Sequence, residues 1–412
     1  MTAELLTVGS ELLSGAIVNT NAAYLARRLA ELGLACRRCV AVGDDRSALI
    51  EALREAAHRS RVILMTGGLG PTFDDITMAA IAEATGRPLR HQPSAAAAIR
   101  RFYTRQHRRL QQAALRQALI PDGGVALPNP IGTAPGLWLE LPTVLVIALP
   151  GVPREMQVIM EQAVIPRLRA RIRGPAIESL TLRTVGLVEL QIERQLRRIT
   201  IPPGVEIGLY PHLKAVDVRL TSTGPTPQAA RAALRRVERP LRRAVGLHVY
   251  GTDEATLESV VGALLVRQRK TLGIAESCTG GLVADQITNV SGSSRYLRGA
   301  VVAYHNTVKT GCLGVSPMLL ARHGAVSAPV ARAMAEGVRR LTRAGVGMAI
   351  TGIAGPAGGS ARKPVGLVFV GLADGRGVSS LRCQFFGDRT SIKMQAAQTA
   401  LDCLRRHLLG KD

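Results

Sequence analysis

The feature that most constrains this chain is a recurring junction in which a short apolar run ends in a glycine-rich turn. Val62–Met65 runs into TGGLGPTFDDIT (66–77). Thr271–Ile274 runs into AESCTGG (275–281), and Gly347–Ile350 into TGIAGPAGG (351–359). Apolar runs this short, bounded by turn residues, fit buried strands. Strands that alternate with helices imply a largely parallel sheet, with ligands at the carboxyl ends of its strands.

The stretches between the junctions carry the helix period. Leu25, Leu29 and Leu32 fall on one helical face that Gly33 ends, and Ala35–Val42 follows as a strand. A helix then runs to about His58. The stretch 91–117 is rich in Arg and Gln and reads as helical with a solvated face. Val144–Ala148 reads as a buried strand, and Pro150–Pro153 turns into a helix. Between 166 and 250, arginine-rich helical patches alternate with strand-like runs at Ser179–Val185, Val205–Tyr210 and Ala215–Thr221. Gly251–Asp253 reads as a turn that caps a helix over Leu257–Val266. Gly299–Ala303 and Val365–Leu372 are further strands, and Phe386–Arg389 opens a last helix with Ile392, Ala396, Ala400 and Leu404 recurring along it. A length of 412 residues fits two or three domains. The expected class is α/β, with two three-layer α/β domains over 1–165 and 251–412 joined by a small α+β domain over 166–250.

The formal net charge is +23, which invites a nucleic-acid reading. The arginines, however, are scattered through every segment, and aromatic residues to stack bases make up only 3%. A nucleic-acid partner is therefore disfavoured, while anionic nucleotides suit the positive field. Of six cysteines, only Cys36 and Cys39 are closely spaced, with no second pair at zinc spacing, so reduced thiols in a cytoplasmic protein are expected. No basic segment precedes an apolar core at the start, and no apolar run approaches the ~20 residues that span a bilayer. Neither a signal peptide nor a membrane partner is expected.

The stretch 275–309 gathers hydroxyls, a thiol, two tyrosines and a lysine. A serine becomes nucleophilic when a base takes its proton, and a desolvated lysine can be that base. Among 53 basic residues, the only lysines are Lys214, Lys270, Lys309, Lys363, Lys393 and Lys411. Arginine cannot give up its proton, so a lysine kept beside serines is a candidate base. Ser277, Ser294, Tyr304 and Lys309 are the candidate groups. The competing reading makes Ser293–Ser294 turn chemistry beside Gly292 and Lys309 a solvated charge.

AESCTGG (275–281), GSS (292–294), VVAYHNTVK (301–309), HGAVS (323–327) and TGIAGPAGG (351–359), in this order, resemble the C-terminal domain of the CinA family. That domain is similar to nicotinamide-nucleotide amidohydrolases of the PncC type. The resemblance covers roughly 255–409 and implies hydrolysis of the carboxamide of nicotinamide mononucleotide to the acid and ammonia, without a cofactor. In that scheme Ser294 attacks and Lys309 takes the proton, directly or through Ser277; Ser277 stays open as the alternative nucleophile. Tyr304 positions or shields the relay. Thr351, with Gly352 and Gly355 in its turn, and Arg389 hold the ribose-phosphate end.

In the N-terminal region, the glycines of 66–77 let backbone amides approach a phosphate. Asp74 and Asp75 offer hard oxygens suited to Mg²⁺ or Mn²⁺. A plain glycine turn with an Asp cap competes with that reading. GSELLSG (9–15), NTN (19–21), GGLGPTFDDIT (67–77), NPIGTAPG (129–136) and LPGVPREM (149–156) resemble the molybdopterin-binding-type domain at the front of CinA proteins. The resemblance implies ADP-ribose pyrophosphatase activity dependent on Mg²⁺, Mn²⁺ or Co²⁺. Asp74, Asp75 and Glu11 then serve the metal, and Gly67, Gly68 and Gly70 cradle phosphate. It also implies a KH-like module for the middle segment; no KH function is carried over, since 166–250 holds no Gly-X-X-Gly loop. A homodimer that recycles pyridine nucleotides is the expected whole. The alternative is a non-catalytic, nucleotide-sensing regulatory protein linked to competence or DNA damage.

Overall fold

The computed structural model describes residues 2–172, 174–213 and 215–411. The chain forms two compact units: 1–178 with 223–227, and 179–222 with 228–412.

In the first unit, β1 (Thr2–Val8), β2 (Ala35–Val42) and β3 (Val62–Thr66) are joined by the helices α1 (Thr20–Glu31) and α2 (Arg46–Arg59). A third helix, α3 (Thr77–Thr85), follows the 66–77 turn. The sheet is completed by β4 (Val125–Leu127), β5 (Gly136–Glu140) and β6 (Leu145–Leu149), in the order β2-β1-β3-β6-β5-β4. The pairings among β2, β1, β3 and β6 are parallel, and those of β5 are antiparallel. Alternation along the central strands makes two cores. Leu6, Val8, Ile63 and Met65 face one side with Leu49 and Leu53. Leu5, Val62 and Leu64 face the other with Leu25, Leu29 and Met156. A sheet buried on both faces between helices is the expected three-layer arrangement.

The second unit begins with an antiparallel sheet of β7 (Ala176–Thr184), β8 (Val205–His212), β9 (Ala215–Gly224) and β10 (Val249–Thr252), covered by α4 (Pro227–Val245). Gly251 and Thr252 thus lie in a strand that pairs with β7, not in a turn. Thr256 caps the next helix instead, accepting from Ser259 N. That helix, α5 (Leu257–Arg267), leads to β11 (Leu272–Glu276), α6 (Leu282–Thr288) and β12 (Leu297–Val302). After these come α7 (Asn306–Gly311), α8 (Ala328–Thr342), β13 (Val346–Gly352), β14 (Leu367–Asp374), β15 (Gly377–Gln384) and α9 (Arg389–Leu408). The sheet order is β12-β11-β13-β14-β15. Only the β12-β11-β13 part is parallel.

One face of this sheet carries Ile274, Met348, Ile350 and Val370 under α5 and α9. The opposite face carries small residues two apart: Gly273 and Ala275, Gly347 and Ala349, Gly371 and Ala373. Helix α8 lies so close there that a Cβ on Gly347 would collide with Ala335 O, and one on Gly371 with Ala331 O. Helix α8 thus packs directly onto β11, β13 and β14, and the turn after β11 is where the chemistry gathers.

Candidate active site

Glu276, the last residue of β11, is fully buried. Its carboxylate accepts from Gly281 N (3.0 Å), Val283 N (3.2 Å) and Ala284 N (2.8 Å). A carboxylate on the free amides of a helix start satisfies donors that would otherwise be orphaned. This bracket closes the 277–281 turn, in which Gly280 and Gly281 adopt φ of 67° and 97°. The sequence signal for it is an acid five positions before the second glycine of a strand-to-helix turn, a pattern absent from the candidate groups above.

The bracketed turn presents Ser277. Lys309, on α7 beyond the adjacent parallel strand β12, is only 1% exposed. Its Nζ donates to Ser277 Oγ (3.2 Å), Ala303 O (2.6 Å) and Tyr304 O (3.1 Å). All three acceptors are neutral, and among the described residues Lys309 has no carboxylate partner. Burial pushes its pKa below the usual lysine range, opposed only by nearby Cys278. Lys309 is thus no solvated charge.

Cys278 is itself buried, which pushes its thiol up to about 12, so it stays protonated and a poor nucleophile at neutral pH. Ser294 is exposed on a short 3₁₀ turn, Ser293–Arg295, and makes no side-chain hydrogen bond among the described residues. The structure therefore pairs Lys309 with Ser277 and leaves Ser294 outside the pair, an arrangement that fits Ser277 either as the relay or as the alternative nucleophile. The local reason is that the Ser277 turn closes on Glu276 while the Ser294 turn opens to solvent.

Tyr304 is exposed, and its hydroxyl accepts from Arg389 Nη2 (2.9 Å). Arg389 Nη1 donates to Gly355 O (2.6 Å). Arg389 thus ties α9 to the 353–359 loop and to the end of β12. Thr351 does not turn its hydroxyl to a ligand: fully buried, it donates to Ala325 O (2.9 Å). Gly352 pairs with Val368 in the sheet, so of that turn Gly355 alone reaches the Arg389 contact.

In the first unit, Gly67 (φ 107°) and Gly68 (φ 65°) follow β3 as expected. A Cβ on Gly67 would collide with Val8 O. Asp75, however, is spent on its own loop. It accepts from Gly70 N (2.6 Å), Thr72 N (2.8 Å) and Thr72 Oγ1 (2.5 Å). Gly70 accordingly offers no free amide to a phosphate, and Asp75 few lone pairs to a metal. Asp74 is exposed. Glu11 folds over Gly9 and lines a cavity of about 140 Å³ with Thr7, Asn19, Asn21, Thr66 and Gly67. Among the described residues no group of three or more His, Cys, Asp or Glu could hold a metal ion, so Glu11, Asp74 and Asp75 do not fit a preformed cage. No described helix is long and apolar enough to cross a membrane.

With this geometry in place, comparison with known proteins is decisive. A "CinA-like protein" from Geobacter metallireducens is 43% identical over 413 residues, covering 100% of both chains. The chain belongs to the CinA family. A second "CinA-like protein", from Gloeobacter violaceus, is 42% identical over 412 residues, covering 99% of this chain and 97% of its own. The profile described as "CinA C-terminal domain" matches residues 254–408. "Probable molybdopterin binding domain" matches 4–170, and "Damage-inducible protein CinA KH domain" matches 179–251. A solved structure titled as CinA of unknown function from Thermoplasma acidophilum is 38% identical over 40% of this chain and 97% of its own, with a TM-score of 0.38. As a CinA family member, the chain combines these three segments in one polypeptide.

Proposed function

We propose that the C-terminal segment hydrolyses the carboxamide of nicotinamide mononucleotide, with Ser277 as nucleophile and Lys309 as its base. The observation that carries this reading is the buried amine with a lowered pKa 3.2 Å from a serine hydroxyl. Ser277 Oγ attacks the carboxamide carbon and its proton passes to Lys309 Nζ. As the C–N bond breaks, Lys309 returns the proton to the leaving ammonia. Water then attacks the acyl ester, Lys309 again taking a proton, and the acid leaves with Ser277 restored. The amides of Cys278 and Thr279 donate to no other residue among the described ones, whereas those of Gly280, Gly281, Val283 and Ala284 are engaged. We assign these two amides to the oxyanion, at roughly 3–4 kcal/mol per donor in other enzymes. Incubation with nicotinamide mononucleotide, assayed for ammonia and nicotinate mononucleotide, tests the reading. Binding without turnover supports the alternative, a nucleotide sensor.

For the N-terminal segment we propose an anion site at the Glu11–Gly67 cavity that takes ADP-ribose and, with a divalent ion, cleaves its pyrophosphate. The support is Gly67 and the polar side chains Thr7, Asn19, Asn21 and Thr66 within an otherwise largely apolar lining, together with the family resemblance. Since the carboxylates do not form a cage, no step is derived through the metal. Release of AMP from ADP-ribose with and without Mg²⁺, Mn²⁺ or Co²⁺ tests it.

A further inference from the structure

Resting on the amidase reading, we infer that Lys393 holds the substrate's phosphate and sets the preference for a nucleotide over its nucleoside. Lys393 lies one helical turn after Arg389 on α9, so the two side chains share a face. Its ammonium reaches the serine turn: a Cβ placed on Gly280 would lie 3.6 Å from Lys393 Nζ. Among the described residues it makes no hydrogen bond and no ion pair. Arg389 is held only by a carbonyl and a phenol, and Lys309 only by a hydroxyl and two carbonyls. Lys393 and Arg389 thus place two cations beside the turn after β11, neither paired with a carboxylate among the described residues, next to the buried amine of Lys309. Of the acids on these elements, Glu276 is committed to the amides of its own turn and Asp388 to Ser391 N at 2.7 Å.

Several buried or half-buried basic side chains elsewhere are paired. Arg183, Arg405 and Arg406 each meet an Asp, and Arg28 and Arg59 each meet a Glu. An uncompensated positive cluster beside a nucleophile is built for an anion. Within reach of Ser277, the anion of a substrate whose other end is an amide is a phosphate monoester. Lysine suits it as a compact charge with three rotatable donors.

The test compares wild type with Lys393→Ala and Lys393→Arg on nicotinamide mononucleotide and nicotinamide riboside. The expected result is a fall of about 10- to 100-fold in the kcat/KM ratio of nucleotide to riboside for Lys393→Ala, carried by KM. Lys393→Arg should restore much of that ratio. Inorganic phosphate should compete with the nucleotide in wild type and much less in Lys393→Ala. A ratio unchanged in Lys393→Ala would overturn the inference while leaving the amidase reading intact. A purely structural role for Lys393 would lower both substrates together and leave the ratio fixed, which overturns it equally. Absence of turnover of either substrate by wild type would instead remove the reading on which the inference rests.

Discussion

Lys309 Nζ and Ser277 Oγ meet at 3.2 Å in the interior, brought there from beyond the carboxyl ends of two adjacent parallel strands. Neither is fixed by its neighbours in sequence. The parallel pairing of β11 with β12 sets their separation, and the Glu276 bracket sets the direction of the serine. A lysine buried without a carboxylate is costly as a cation, and that cost lowers its pKa.

Activity should therefore require the neutral amine. The neutral fraction grows as pH rises through the lowered pKa, so log kcat/KM should climb with pH and level off below the ~10.4 of a free lysine. Lys309→Arg should be inactive at every pH, because a guanidinium stays protonated. A pH series of ammonia release checks both. A limb at the free-lysine value would contradict the burial argument.

Removing the Glu276 bracket should loosen the turn. Glu276→Gln keeps the shape but gives up the charge on three amides and turns an NH₂ toward them. A loss of about 2–4 kcal/mol of stability is expected in denaturant titration. Turnover should fall more steeply than substrate binding, since the Cys278 and Thr279 amides lose their support.

Arg389→Lys should separate the role of the fork from that of the charge. Lysine cannot hold Gly355 O and Tyr304 OH together as the guanidinium does. A rise of about tenfold in KM for nicotinamide mononucleotide is expected, with Tyr304→Phe giving a smaller rise, read from initial rates.

In the N-terminal segment, Asp75→Asn should act through the loop rather than through a metal. Loss of charge on the Gly70 and Thr72 amides should cost about 1–3 kcal/mol of stability. Any ADP-ribose hydrolysis should fall whether or not divalent ion is in excess. Full rescue by raising the Mn²⁺ concentration would return Asp75 to the metal.

Much of the architecture was legible because it depends on local pattern. The strands at β3, β11 and β13 fall where short apolar runs meet glycine, and the helix period alone marks the buried stripe of α9 at Ile392, Ala396, Ala400 and Leu404. What escaped was set by long-range pairing. β15 is a largely exposed edge strand, GVSSLRCQ, with no apolar alternation to mark it. The helix read over 91–117 stops at Arg105, His107 turns to φ 52°, and a 3₁₀ segment takes over. At the sites, the motifs gave the right neighbourhoods but not the partners. Asp75 looked like a ligand because an acid after glycines serves a metal or its own loop equally well, and the nearby amides won. Ser294 looked as good as Ser277 because only the fold decides which hydroxyl the buried amine meets.

The account stands most directly on which serine carries the acyl group. Rapid quench of wild type with nicotinamide mononucleotide, tryptic digestion and tandem fragmentation would locate it, since Ser277 and Ser294 share the tryptic peptide 271–295. The adduct should map to Ser277, and Ser277→Ala should lose at least ~10³-fold in kcat while Ser294→Ala loses far less. An adduct on Ser294, or full turnover by Ser277→Ala, would contradict the account.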